Sequence, residues 1–118
     1  MKFKINIEYN ILERDRAKGE EPLSNSEITL NYINLAVSLK YKDGLEGQKR
    51  RLFGRIQRKL DDAVDNKKDE IELEEAEKDF LKGLFKDDIK MPSLASKYIS
   101  LLEDEVDNLS KDEEKKKE

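Results

Sequence analysis

The chain has 118 residues, 44% of them charged and 36% apolar, with a formal net charge of −4 and neither histidine nor cysteine. Its length suits a single domain of roughly 100 to 150 residues. The missing residue types exclude disulfides, thiolate zinc sites, thiol nucleophiles and every Ser-His or Cys-His pair.

The start alternates apolar and polar residues: Phe3, Ile5, Ile7, Tyr9 and Ile11 interleave with Lys2, Lys4, Asn6, Glu8 and Asn10. This period of two predicts a strand with one buried face. It also differs from the continuous apolar core of a signal peptide, and no later run reaches the roughly 18 apolar residues of a membrane span. Residence in the cytoplasm with no membrane partner is therefore expected. Residues 13–25 are polar, with Gly19 and Pro22 as breakers, and read as an exposed loop.

Ser24 and Glu27 have the spacing of a capping box, and Leu30, Ile33, Val37 and Tyr41 follow at helical intervals. They predict a first helix. Tyr32, Leu35 and Leu39 form a second apolar side, which suits a central position. Because Ile33, Leu35, Val37, Leu39 and Tyr41 also alternate, a strand over residues 28–41 stays open as the alternative. After Asp43-Gly44, residues 45–64 form a second helix with Leu52, Phe53, Ile56, Leu60, Ala63 and Val64 on one arc. A third helix, reaching about Lys86, is expected to bury Leu73, Ala76, Phe80, Leu81 and Leu84. Pro92 introduces a fourth, carried by Leu94, Tyr98, Leu101, Leu102, Val106 and Leu109. Two Ile-x-Leu segments, Ile28-Thr29-Leu30 and Ile71-Glu72-Leu73, could each pair with the first strand, whose backbone groups need partners.

The predicted fold class is mainly α (α+β): about four amphipathic helices with an N-terminal β-strand in a small two- or three-stranded sheet. One domain, 1–109, is followed by a disordered charged tail, 110–118, which has no apolar residue to dock.

Charge is distributed unevenly. Residues 49–59 contain six basic residues and no acid, whereas residues 61–79 contain ten acids against three basic residues. On a helical wheel Arg51, Arg55 and Arg58 align opposite the apolar arc, flanked by Arg50 and Lys59. Guanidiniums on such a rail can hold carboxylates or phosphates bidentately. The ordinary reading is a solvated helix face. Against it stands the placement of basic residues at the helix start and Asp61, Asp62 and Asp65 at its end, which opposes the macrodipole. A further expectation is that the acidic stretch, with the charged tail, serves as an internal mimic that occupies the arginines until a partner displaces it.

Other motifs give little. The glycines fit neither a dinucleotide loop nor a phosphate loop, and a calcium loop begun at Asp65 would place Glu70 where glycine is needed. Glu77 and Glu105 fall on apolar stripes and Lys49 on the apolar side of the second helix; all three are expected at the margins, reaching water along their stems. A buried Glu77 paired with Lys49 or an arginine is the alternative.

Gly54-Arg55-Ile56-Gln57-Arg58-Lys59-Leu60-Asp61-Asp62-Ala63, followed by Ile71-Glu72-Leu73-Glu74-Glu75-Ala76-Glu77, resembles small uncharacterised proteins of bacteriophage and prophage gene clusters. The resemblance implies an accessory or regulatory protein that binds host or phage machinery, and it assigns no site residue. The expected function is thus non-catalytic and without a cofactor or metal: binding an acidic protein partner through Arg50, Arg51, Arg55, Arg58 and Lys59. A nucleic-acid-binding module using the same residues is the second expectation, and self-assembly as a homo-dimer through the edge strand the third.

Overall fold

Where the apolar period shifts from two to 3.6, the chain passes from strand to helix. The computed structural model describes residues 1–12, 14, 16, 19, 23–86 and 90–117, with side chains as far as residue 109. In chain order the elements are β1 (Lys2–Lys4), α1 (Asn25–Lys40), α2 (Gly47–Asp65), β2 (Glu70–Glu72), α3 (Glu75–Leu84), a 3₁₀ turn (Ser93–Ala95) and α4 (Ser96–Lys117).

β1 and β2 pair antiparallel with Phe3 opposite Ile71, so the second of the two Ile-x-Leu segments supplies the partner. The ladder ends early. Ile5 and Asn6 both donate to the Asp69 carbonyl, at 2.9 and 3.1 Å, and Ile7 N–H then turns back to the Ile5 carbonyl at 2.9 Å. Asn10 adopts a positive φ of 49°. These local turns take the chain away from β2, yet Phe3, Ile5, Ile7 and Tyr9 all stay buried. The alternation predicted to Ile11 thus describes burial over the whole stretch and strand pairing over its first part.

Ser24 caps α1 by accepting the Glu27 N–H at 3.2 Å, and the residues buried along α1, Thr29, Ile33, Ala36 and Val37, recur every three or four positions. The helical reading of residues 28–41 is therefore the correct one. Inside, Thr29 anchors α1 to the N-terminal segment: its hydroxyl donates to the Ile5 carbonyl at 2.7 Å and lies 2.6 Å from the Tyr9 hydroxyl. Thr29 has one proton to give, and the carbonyl can only accept, so Tyr9 is the donor in that pair. Burial pushes the Tyr9 phenol well above its ordinary value, which keeps this donor protonated.

α2 is central, packing against α1, α3 and β2 and burying Phe53, Ile56, Leu60 and Ala63. α3 differs from expectation because β2 takes Glu70–Glu72, and Leu73 N–H continues the strand connection by donating to the Met1 carbonyl at 2.7 Å. The helix starts only at Glu75 and stops at Leu84, so Leu73 is buried from outside it; within it Ala76 is exposed and Phe80 half-buried, against expectation. In α4 the buried stripe is Tyr98, Ile99, Leu102, Val106 and Leu109, while Leu94, expected on that stripe, is 83% exposed in the 3₁₀ turn.

The α4 backbone is helical as far as Lys117, through the segment expected to fray; the side chains of 110–118 lie outside the described residues. So do residues 13, 15, 17, 18 and 20–22 of the predicted loop. Among the described residues no helix is long and apolar enough to cross a membrane.

Candidate interaction surface

α2 turns its apolar arc inward, which fixes where its charges go. Arg50, Arg51, Arg55 and Arg58 are all exposed. Among the described residues none of the four makes a side-chain hydrogen bond or ion pair, so the acidic stretch 61–79 does not occupy them.

Lys59, the fifth predicted residue, is placed differently. Its side chain is 34% exposed, and its ammonium donates to Glu77 Oε1 at 2.6 Å and to the Glu72 carbonyl at 2.8 Å. It ties α2 to β2 and α3. Glu77 corrects the margin expectation, since it is fully buried and its partner is neither Lys49 nor an arginine. Glu77 Oε1 also accepts the Glu74 N–H at 2.8 Å, and the Glu74 side chain accepts the Glu77 N–H in return. This reciprocal capping box begins α3, so Glu77 serves the helix start as well as the ion pair. Glu77 Oε2 is buried without a hydrogen-bond partner. Lys49 does reach the surface, with its ammonium 5.1 Å from the Tyr41 ring centroid, and Glu105 is half-buried.

The placement of charge along the helix dipole separates α2 from its neighbours. α1 has Glu27 in its first turn and Lys40 in its last, and α3 has Glu75 and Glu77 first and Lys82 last. α2 has no acid in its first turn and no base in its last, and Glu46 at its N-cap makes no side-chain bond to the helix. The acidic C-terminal end is quieted locally. Asp62 accepts from Lys68 Nζ at 2.8 Å and from Asn66 Nδ2 at 2.8 Å, and the Lys68 hydrogen bond and charge hold its carboxyl below the ordinary value. Among the described residues the arginines of the basic start have no such internal answer.

Beside that start lies a groove of about 280 Å³, lined by Gln48, Arg51, Leu52, Arg55 and Ala76. Ala76, expected in the core, instead faces outward and lines this groove beside the arginines. A second groove, also about 280 Å³, lies where the N-terminal segment meets α4, between Tyr9, Asn10, Leu12, Lys97 and Tyr98. Among the described residues no group of three acids converges as a metal ion would require. Comparison with protein-family models, curated proteins and solved structures returned no match.

Proposed function

We propose that the chain is a small non-catalytic interaction or regulatory protein that binds an acidic protein partner through Arg51, Arg55 and Arg58, with Arg50 at their flank. One observation carries this reading. The four guanidiniums stand exposed without an internal partner among the described residues, while Lys59 on the same helix is drawn into the fold. Positions 51 to 58 extend over about 10 Å at the helical rise per residue, a length suited to a few carboxylates on one partner element. The resemblance of residues 54–63 and 71–77 to phage accessory proteins agrees with a regulatory role.

A nucleic acid is the second reading. The net charge of −4 and the acids that follow the basic block weigh against a continuous phosphate track.

The test compares the wild-type chain with an Arg51→Ala/Arg55→Ala/Arg58→Ala variant, both verified as folded by circular dichroism, as baits in cells of the native host. Protein partners retained by the wild type and lost by the variant are the expected result. An identical partner set would remove the arginine face from the function. Tight binding to duplex DNA that weakens steeply with salt would replace the protein partner with nucleic acid.

A further inference from the structure

We propose that the groove between α2 and the first turn of α3 is a docking slot for one aliphatic side chain flanked by carboxylates, presented by an acidic protein segment. The inference rests on the arginine-face reading and adds to it Gln48, Leu52 and Ala76, which composition alone does not single out. Gln48, Leu52 and Arg55 are spaced as one face of α2, and Arg51 stands beside them at the rim. The floor is apolar, from half-buried Leu52 and exposed Ala76, and the rim carries two guanidiniums and a carboxamide.

Size and charge together select the occupant. The volume of about 280 Å³ lies just below the range of small-ligand sites, which run from about 300 to 1,000 Å³. It takes one branched side chain with part of its backbone. Arg51 and Arg55 on the α2 side complement carboxylates next to that side chain, and Gln48 can bond a backbone amide. Glu74 and Glu75, which precede Ala76 in the chain, are exposed, so the α3 side of the molecule next to the slot carries acid. A phosphate chain crossing the slot would meet both signs of charge, whereas a segment carrying its carboxylates on the arginine side alone meets only one.

The experiment uses the full chain labelled with ¹⁵N and two fluorescent peptides of equal length, one with Leu between paired glutamates in a Gly/Ser frame, the other with Ser in place of Leu. The Leu peptide is expected to bind with amide shifts centred on Gln48, Leu52 and Ala76. Leu→Ser in the peptide should weaken it about tenfold, the effect of withdrawing one aliphatic side chain from burial. Ala76→Phe, which fills the slot and leaves the arginines in place, should bring the Leu peptide down to the affinity of the Ser peptide.

Equal affinities for the two peptides, an unaffected Leu peptide with Ala76→Phe, or no binding of either at roughly 1 mM would each overturn the slot. If Arg51→Ala/Arg55→Ala still abolishes binding of both peptides, the slot alone fails and the acidic-partner reading stands. If that variant binds both peptides as the wild type does, both fail. Displacement of the peptides by a single-stranded oligonucleotide of matched charge would overturn the pair of readings in favour of nucleic acid.

Discussion

Helices α2 and α3 lie side by side, and both present one apolar and one charged face, yet their charges stand in opposite relation to the fold. In α3 the acids sit at the positive end of the helix dipole and a lysine near its negative end; Glu77 goes further and enters the core, closing the capping box and holding Lys59. Each of those charges has an internal reason to be where it is. In α2 the dipole is opposed at both ends, and the exposed arginines answer to nothing among the described residues. Charge of the first kind stabilises a structure, whereas charge of the second kind resists it slightly and is explained by what lies outside. The difference makes the α2 face the candidate surface, although α3 is equally amphipathic.

The largest test of this contrast is Lys59→Met, which leaves the Glu77 carboxylate buried without its counter-ion. A loss of about 2 to 3 kcal/mol is expected, reduced from the full value for a buried pair because the lysine is partly solvated. Urea denaturation measures it, and a change within 0.5 kcal/mol, the scatter of ordinary surface substitutions, would return Glu77 to a marginal role. Next come paired dipole changes. Gln48→Glu should stabilise α2 by about 0.3 to 1 kcal/mol, and Lys82→Glu should destabilise the chain by a similar amount. Thermal melts of the same sign for both would erase the distinction between the helices.

The smallest effect concerns pH. The folded Asp62 carboxyl titrates below its ordinary value of 3.8, so its contribution is present above that value and disappears as the pH falls through the folded midpoint. A carboxyl titration followed by NMR should place Asp62 below 3.8, and Lys68→Met should bring it back towards that value. A midpoint unmoved by that substitution would leave the acidic end of α2 unneutralised, like its basic start.

Much of the fold is legible in the residues themselves. The alternation from Phe3 to Tyr9 and the helical recurrence in α1, α2 and α4 are strong patterns, and Ser24 marks the start of α1 by its chemistry. What is not legible depends on phase. A three-residue strand at Glu70–Glu72 takes Leu73 out of the α3 stripe, so that Leu73 is buried from outside the helix, while Glu77 lines up with Leu81 and Leu84 in the core and Ala76 faces solvent. Likewise the 3₁₀ turn after Pro92 advances the chain by fewer residues per turn than an α-helix, and Leu94 falls out of step with the stripe that begins at Tyr98.

For the candidate surface, the exposure of Arg50, Arg51, Arg55 and Arg58 could be read from the wheel. The inward reach of Lys59 and the groove beside Ala76 could not, because both need the spatial position of α3. Glu74 and Glu77 do carry a local signal, a capping-box spacing, but glutamate is not among the usual N-cap residues and the signal is easily passed over.

The pairing of Lys2–Lys4 with Glu70–Glu72 also has a meaning in time. All of α1 and α2 lies between the two strands, so closing the sheet requires a long loop to be drawn together, whereas each helix is built from contacts only a few residues apart. Helical structure in α1 and α2 can therefore form first, and the strand contact, together with the burial of Phe3 and Ile5 beneath it, belongs to the late stage of folding. Slow amide exchange at Phe3 and Ile71 would then report chains that have folded completely, while protection confined to the helices would mark those still open.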